Sequence, residues 1–202
     1  MRLVNLFNNA TLYNVFQSAI SRGDTSRIVR DEVLRPNGIQ DVLDFGCGIG
    51  SHAVEFPKSS YLGIEPLPQC IKKANDLFGG PNRRFVLGNH KTLREIPDKS
   101  FDLIIAIGVL HHMNDEVVSE FIAESVRLLR SGGRLTTFDP VIHAEQSMLS
   151  RWIVKRDRGQ WVRTVSDYSD LLTSHFPWLV RQKIYTNLLR IPYDHINFNL
   201  YK

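Results

Sequence analysis

Three groups of residues in this chain of 202 residues have types and spacings that suit chemistry. The first is Asp44-Phe45-Gly46-Cys47-Gly48-Ile49-Gly50, with Glu65 following 21 residues after Asp44. Glycine lets a backbone approach a ligand closely, and free N–H groups at a helix start favour anionic groups. A carboxylate one strand further on can accept both hydroxyls of a ribose, so the pair reads as a site for an adenosine-type cofactor. A tight strand-to-helix turn would also use these glycines for steric reasons alone. The dinucleotide fingerprint G-x-G-x-x-G would place its third glycine at position 51, which is Ser51; here the third glycine is Gly50. That spacing and the absence of a Tyr-x-x-x-Lys pair disfavour an NAD(P)-linked oxidoreductase.

The second group is histidine. His111 and His112 follow an apolar run, and His143 follows Asp139-Pro140. Imidazole is the first candidate for a base at neutral pH. Adjacent residues point different ways, so one of the pair would meet a substrate. His112 is the choice, and His143 is a second candidate for base or substrate contact. The other reading of His111 and His112 is a histidine paired with backbone or capping the helix that begins near Asn114. The third group is Arg156-Asp157-Arg158-Gly159-Gln160-Trp161-Val162-Arg163. Arg158 and Arg163 could grip a phosphate or carboxylate on an acceptor bidentately; alternatively the segment is a solvated face paired with Asp157, Asp167 and Asp170.

The elements that must position these groups alternate. Residues 41–45, 61–64, 84–87, 101–107 and 134–138 read as strands, and the fourth is apolar on both faces like a central parallel strand. Helical patterns cover 68–78, opened by Pro68, and 116–129, where Val117, Phe121, Ile122, Ser125 and Leu128 share a stripe. Gly132-Gly133 supplies the stop and turn. Residues 178–189 and 195–201 form a hairpin, and 12–19 and 26–34 form an N-terminal helical cover. The expected fold class is α/β: one Rossmann-like, doubly wound, mostly parallel seven-stranded sheet with an antiparallel C-terminal hairpin.

Val42 to Gly50 resembles the first motif of class I S-adenosylmethionine-dependent methyltransferases, the E/D-x-G-x-G-x-G pattern. The resemblance continues in order through Gly63-Ile64-Glu65, Phe85-Val86-Leu87-Gly88-Asn89, Ile96 to Asp102, Val109-Leu110-His111-His112 and Leu128 to Arg134, over roughly residues 40 to 140. It is nearest the type 11, UbiE-like small-molecule branch. The resemblance implies S-adenosylmethionine as cofactor, leaving as S-adenosylhomocysteine. It places Asp44, Gly46, Gly48 and Gly50 along the methionine end, Glu65 on the ribose and Asn89 at the adenine amino group, where the family usually has Asp. Leu67 stands where a polar helix cap is usual. Tyr13, with Phe16, would face the cofactor and acceptor from the cover. The implied division is one methyltransferase domain: cover 1–38, cofactor core 39–140, acceptor-side helices 141–176 and hairpin 177–202. A non-catalytic member of the same fold that binds the cofactor or a protein is the other reading.

The loop Gly108-Val109-Leu110-His111 lacks the Asn/Asp-Pro-Pro-aromatic motif of many nucleic-acid amino-methylating enzymes. A small-molecule acceptor, carrying an anionic group if the arginines grip it, is therefore expected over nucleic acid. The net charge is +4, and eight of the basic residues fall between Arg127 and Arg163 against three acids. The longest apolar run, Leu103 to Leu110, is eight residues, too short to span a membrane. Asparagines and Gln17 interrupt the first twenty residues, so no signal core is expected. Cys47 and Cys70 give neither a disulfide framework nor metal spacing, and no metal is expected. A cytoplasmic setting follows from these features as an expectation.

Overall fold

The computed structural model describes residues 23–156, 159–174, 179–186 and 188–202. Its central strand is β4 (Phe101–Ile107), in which Leu103, Ile104, Ile105 and Ala106 are fully buried. Such a strand belongs inside a parallel sheet, and β4 lies between β1 (Asp41–Phe45) and β5 (Leu129–Ile142), parallel to both. Two more parallel strands, β2 (Ser60–Glu65) and β3 (Arg83–Leu87), extend the sheet past β1. On the other side the direction reverses. The last strand, β8 (His195–Tyr201), is antiparallel to β5, and β7 (Leu179–Tyr185) is antiparallel to β8, giving the order β3-β2-β1-β4-β5-β8-β7. The two-residue β6 (Arg163–Thr164), outside the expected set, pairs with Val141 and Ile142 of β5.

Alternation along β1 and β4 sends side chains to two apolar layers. Leu43, Phe45, Ile104 and Ala106 pack with Phe121 and Ile122 of α3 (Asp115–Leu128), while Val42, Leu103 and Ile105 pack with Ala74 of α2 (Pro68–Phe78). Asn114 caps α3 by accepting from the Val117 N–H at 3.0 Å, and Asp115 and Glu116 add negative charge to its first turn. Its buried stripe starts at Val118, not at Val117 as the pattern predicts, because Val118 lies nearer the middle of the arc set by Phe121, Ile122 and Ser125.

The expected stop at Gly132-Gly133 is a bulge within β5. The helix already ends at Leu128, where Leu129 turns extended, and Gly132 at φ +79° takes up the register shift between Phe101 and Leu103. The first helix among the described residues, α1 (Thr25–Ile28), continues as a π-helical stretch over Val29–Leu34, and Val33 packs on Phe138, Tyr185 and Leu188. Residues 12–19, with Tyr13 and Phe16, lie outside the described residues, as does Arg158. Two further helices, α4 (Met148–Val154) and α5 (Val165–Thr173), follow β5 and β6. Among the described residues no helix is long and apolar enough to cross a membrane.

Candidate active site

The glycine loop is held on two sides and open on the third. A Cβ at Gly46 would lie 2.5 Å from Val109, and one at Gly50 would lie 2.6 Å from the Phe85 ring, so both contacts exclude a side chain. At Gly48 a Cβ would meet nothing within 4 Å. All three have positive φ (74°, 54° and 79°), a region that only glycine enters without strain. The Gly46 and Cys47 N–H groups donate to the Ile64 carbonyl, tying the loop to β2.

Glu65 closes the floor of this cradle. Its Oε2 accepts the Gly48 N–H at 3.1 Å and its Oε1 the Leu67 N–H at 3.2 Å. Burial raises its pKa above the ordinary carboxylate value; the two N–H groups oppose that, and the charge of Asp44 adds to it. Leu67 begins α2 without a side-chain cap, as its type predicts, and Pro68 opens the first turn. The Glu65 carboxylate thus takes the N–H that a polar cap would have left beside it.

Asp44 is fully buried beneath the loop, where its Oδ2 accepts from the Tyr61 hydroxyl and lies 3.7 Å from His52 Nδ1. Burial disfavours a charged His52, but the Asp44 carboxylate beside it outweighs that and raises the pKa. Tyr61 is pushed far up by burial and by the same carboxylate. Sequence reasoning missed His52 and Tyr61. A buried acid at the end of β1 was the available signal, since it demands partners. Burial also raises the Cys47 thiol well beyond neutrality, which makes it a packing residue. Asn89 is exposed and caps the 3-10 turn His90–Glu95: its Oδ1 accepts the Lys91 N–H at 2.9 Å while Thr92 Oγ1 accepts the Asn89 N–H. A carbonyl oxygen keeps a second lone pair.

Beyond β4, His111 is paired with a carboxylate. His111 is 6% exposed, and its Nδ1 sits 2.8 Å from Asp139 Oδ1, which also accepts the His111 N–H at 3.2 Å. His112 is exposed, its ring 4.0 Å from that of His111. Asp139 is 1% exposed, and its Oδ2 has no hydrogen-bond partner. Gly159 lies directly on the His111 ring: a Cβ there would be 2.0 Å from Cδ2.

Arg163 holds this turn together and does not reach toward an acceptor. It is 7% exposed and donates to the carbonyls of Leu110 at 3.0 Å, Trp161 at 3.1 Å and Met113 at 2.7 Å, and to Asp115 Oδ1 at 2.6 Å. Its partner is Asp115, and not Asp167, which instead caps α5 through Thr164. His143 is also committed inward, with Nε2 3.1 Å from Asp194 Oδ2. The sheet therefore brings Gly46–Gly50, Glu65, Asn89, His111 and Asp139 to the C-terminal ends of β1 to β5, where ligands bind in such sheets. The open backbone at Gly48 above the Glu65 carboxylate fits the ribose and methionine end of an S-adenosyl cofactor.

Residues 42–133 match the family model described as "Methyltransferase domain". The chain is 30% identical over 121 residues to an uncharacterized methyltransferase of Geobacillus sp. (strain WCH70), covering 58% of this chain and 55% of that protein. It is 33% identical over 104 residues to the 27-O-demethylrifamycin SV methyltransferase of Amycolatopsis mediterranei, covering 48% and 38%. A SAM-dependent methyltransferase from Archaeoglobus fulgidus superimposes with a TM-score of 0.68 at 16% identity, over 93% of this chain and 99% of that one. The chain spans about half the length of the first of these curated relatives. Fold, glycine loop and family match together define a Rossmann-like methyltransferase architecture. Residues 42–133 therefore carry a methyltransferase domain, and the fold is that of S-adenosylmethionine-dependent methyltransferases.

Proposed function

We propose that the protein transfers the methyl group of S-adenosylmethionine to a small-molecule acceptor by in-line displacement, with His111 as the base for a hydroxyl or amine. The observation that carries this reading is the convergence of the Gly48–Glu65 cradle and the His111–Asp139 pair on one edge of the sheet. The bound cofactor supplies an electrophilic methyl on sulfonium; the acceptor–carbon bond forms as the carbon–sulfur bond breaks and the thioether leaves. The protein's contribution is mostly alignment, which reaches on the order of 7–11 kcal/mol at best. Asp139 pairs with Nδ1 of His111 and so fixes how the ring is turned for the role assigned to it. Asp44, Gly46, Gly48, Gly50 and Glu65 are assigned to the cofactor, and Asn89 to the adenine edge. Tyr13 and Arg158 are assigned to the acceptor side on their sequence positions alone. One relative is named for a small-molecule acceptor, and no nucleic-acid motif follows β4, which supports the acceptor class.

Calorimetric titration with S-adenosylmethionine, S-adenosylhomocysteine and NADH tests the cofactor, with Glu65→Ala as control. Binding of the two sulfur compounds that is lost in the variant is expected; binding of NADH alone would overturn the reading. Labelled-methyl transfer into pools of metabolites, RNA and protein then tests the acceptor class. Label confined to RNA or protein would refute the small-molecule part.

A further inference from the structure

Helix α4 buries Ser150 and Val154 and turns its larger apolar side chains outward. Ser150 is 1% exposed; its Oγ donates to Asp194 Oδ2 at 3.1 Å and accepts from Gln146 Nε2 at 2.8 Å. His143 closes on the same carboxylate, and Arg151 Nη2 donates to the His143 carbonyl at 3.0 Å. The outward side carries Met148, Leu149 and Trp152, which are 91%, 58% and 55% exposed. In water the burial preference runs the other way. The polar anchorage of Ser150 on Asp194 keeps the helix from rotating that stripe inward. Positions i, i+1 and i+4 form one contiguous face.

Charge accompanies the stripe. Arg151, Lys155 and Arg156 are exposed beside it, no acid lies between Ser147 and Arg156, and the Arg156 guanidinium stacks 3.9 Å over the Trp152 ring. We infer that α4 is an interfacial helix that seats the protein on an anionic lipid surface. Met148, Leu149 and Trp152 enter the headgroup boundary, and the three cations meet lipid phosphates. Charge complementarity selects this occupant: a second copy meeting α4 with α4 would set like charges against each other, while a neutral apolar partner would leave the cations unmatched. The inference needs only α4, so it stands apart from the methyl-transfer reading.

Vesicle flotation of the full chain tests it, using phosphatidylcholine vesicles with and without phosphatidylglycerol, at low and high salt. The chain should float with the anionic vesicles and detach in high salt. Leu149→Ser with Trp152→Ser should lower the bound fraction about tenfold or more, with the thermal unfolding midpoint unchanged. Arg151→Glu with Lys155→Glu should abolish the preference for phosphatidylglycerol. A wild-type chain that stays in solution with both vesicles, as it would if residues 1–22 or a second copy covered the stripe, overturns the inference. So does binding that survives the serine pair and depends on salt alone, the behaviour of a polyanion-binding surface.

Discussion

His111 and Asp139 stand 28 positions apart, yet one oxygen of Asp139 meets both the ring Nδ1 and the backbone N–H of His111. Two bonds to one atom fix where the residue sits and how its ring is turned. Gly159 covers the ring with backbone, and the four acceptors of Arg163 hold the turn from beneath. The neighbouring His112 is exposed where His111 is buried.

Asp139→Asn should therefore lower kcat for methyl transfer by about 10²- to 10⁴-fold, the usual range for losing a positioned base. The dissociation constant for S-adenosylmethionine should stay unchanged, because Asp139 is not among the residues assigned to the cofactor. Single-turnover kinetics on the identified acceptor, beside calorimetry on the cofactor, separates the two. Equal losses in His111→Ala and His112→Ala would return the base role to the exposed ring.

Glu65 predicts a pH dependence of cofactor affinity. Its pKa is raised, with burial the largest cause, so ionising it costs folding stability. That contribution is present below the ordinary carboxylate value and is lost as pH rises through the raised one. Ribose hydroxyls donate to the ionised form, so affinity moves oppositely: full above the raised pKa and falling as pH drops through it. Titration downward from neutral pH toward the ordinary carboxylate value should show the decline, while Glu65→Gln should bind weakly and evenly over the range.

His195 predicts a pH dependence of stability. Burial pushes its pKa down to about 4, the charge of His111 adds to this, and Asp139 and Asp194 oppose it. A base whose folded pKa lies below its unfolded one contributes stability that is complete above the unfolded value of 6.5 and lost as pH falls toward about 4. The swing is on the order of 3 kcal/mol. Its ring already stacks on Phe138 at 4.8 Å. His195→Phe should keep that contact and flatten the slope of denaturation midpoint against pH over this window. An unchanged slope would assign the acid sensitivity elsewhere.

Arg163→Met should cost about 3 kcal/mol or more, because three carbonyls and Asp115 lose a buried donor together. Lysine cannot reproduce the fork, so Arg163→Lys should recover only part of this in urea denaturation.

The sheet was legible because its strands are short apolar runs closed by glycine, proline or polar clusters. The span 101–107 and the helix 68–78 match their expected bounds residue for residue. Gly132 was harder: a glycine after a helix serves equally as a stop or as a bulge, and only pairing with β4 decides. The cofactor side was legible through local spacing, since the glycine loop and Glu65 are fixed by consecutive elements. The acceptor side was not. The pairing of His111 with a carboxylate depends on Asp139 from another strand, and Arg163 is drawn inward by Asp115, 48 residues away. Both are tertiary choices between side chains of similar local type.

Gly48 and Gly50 separate binding from folding. Both have positive φ, so alanine at either costs about 1–2 kcal/mol in backbone strain. Gly50→Ala also drives a methyl to 2.6 Å from Phe85 and 3.2 Å from Ala74, in the apolar layer beside α2, where neither neighbour has room to move. It should lower the unfolding free energy by a further 1–3 kcal/mol or so. Gly48→Ala meets no protein atom and should remain folded with only the strain cost, but its methyl occupies the open side of the cradle where the cofactor backbone must approach. Thermal melts with and without S-adenosylmethionine distinguish the two variants. Gly48→Ala should melt close to wild type and gain nothing from the cofactor, whereas Gly50→Ala should melt lower throughout. If Gly48→Ala is stabilised by S-adenosylmethionine as strongly as wild type, the open side of the loop is not where the cofactor lies.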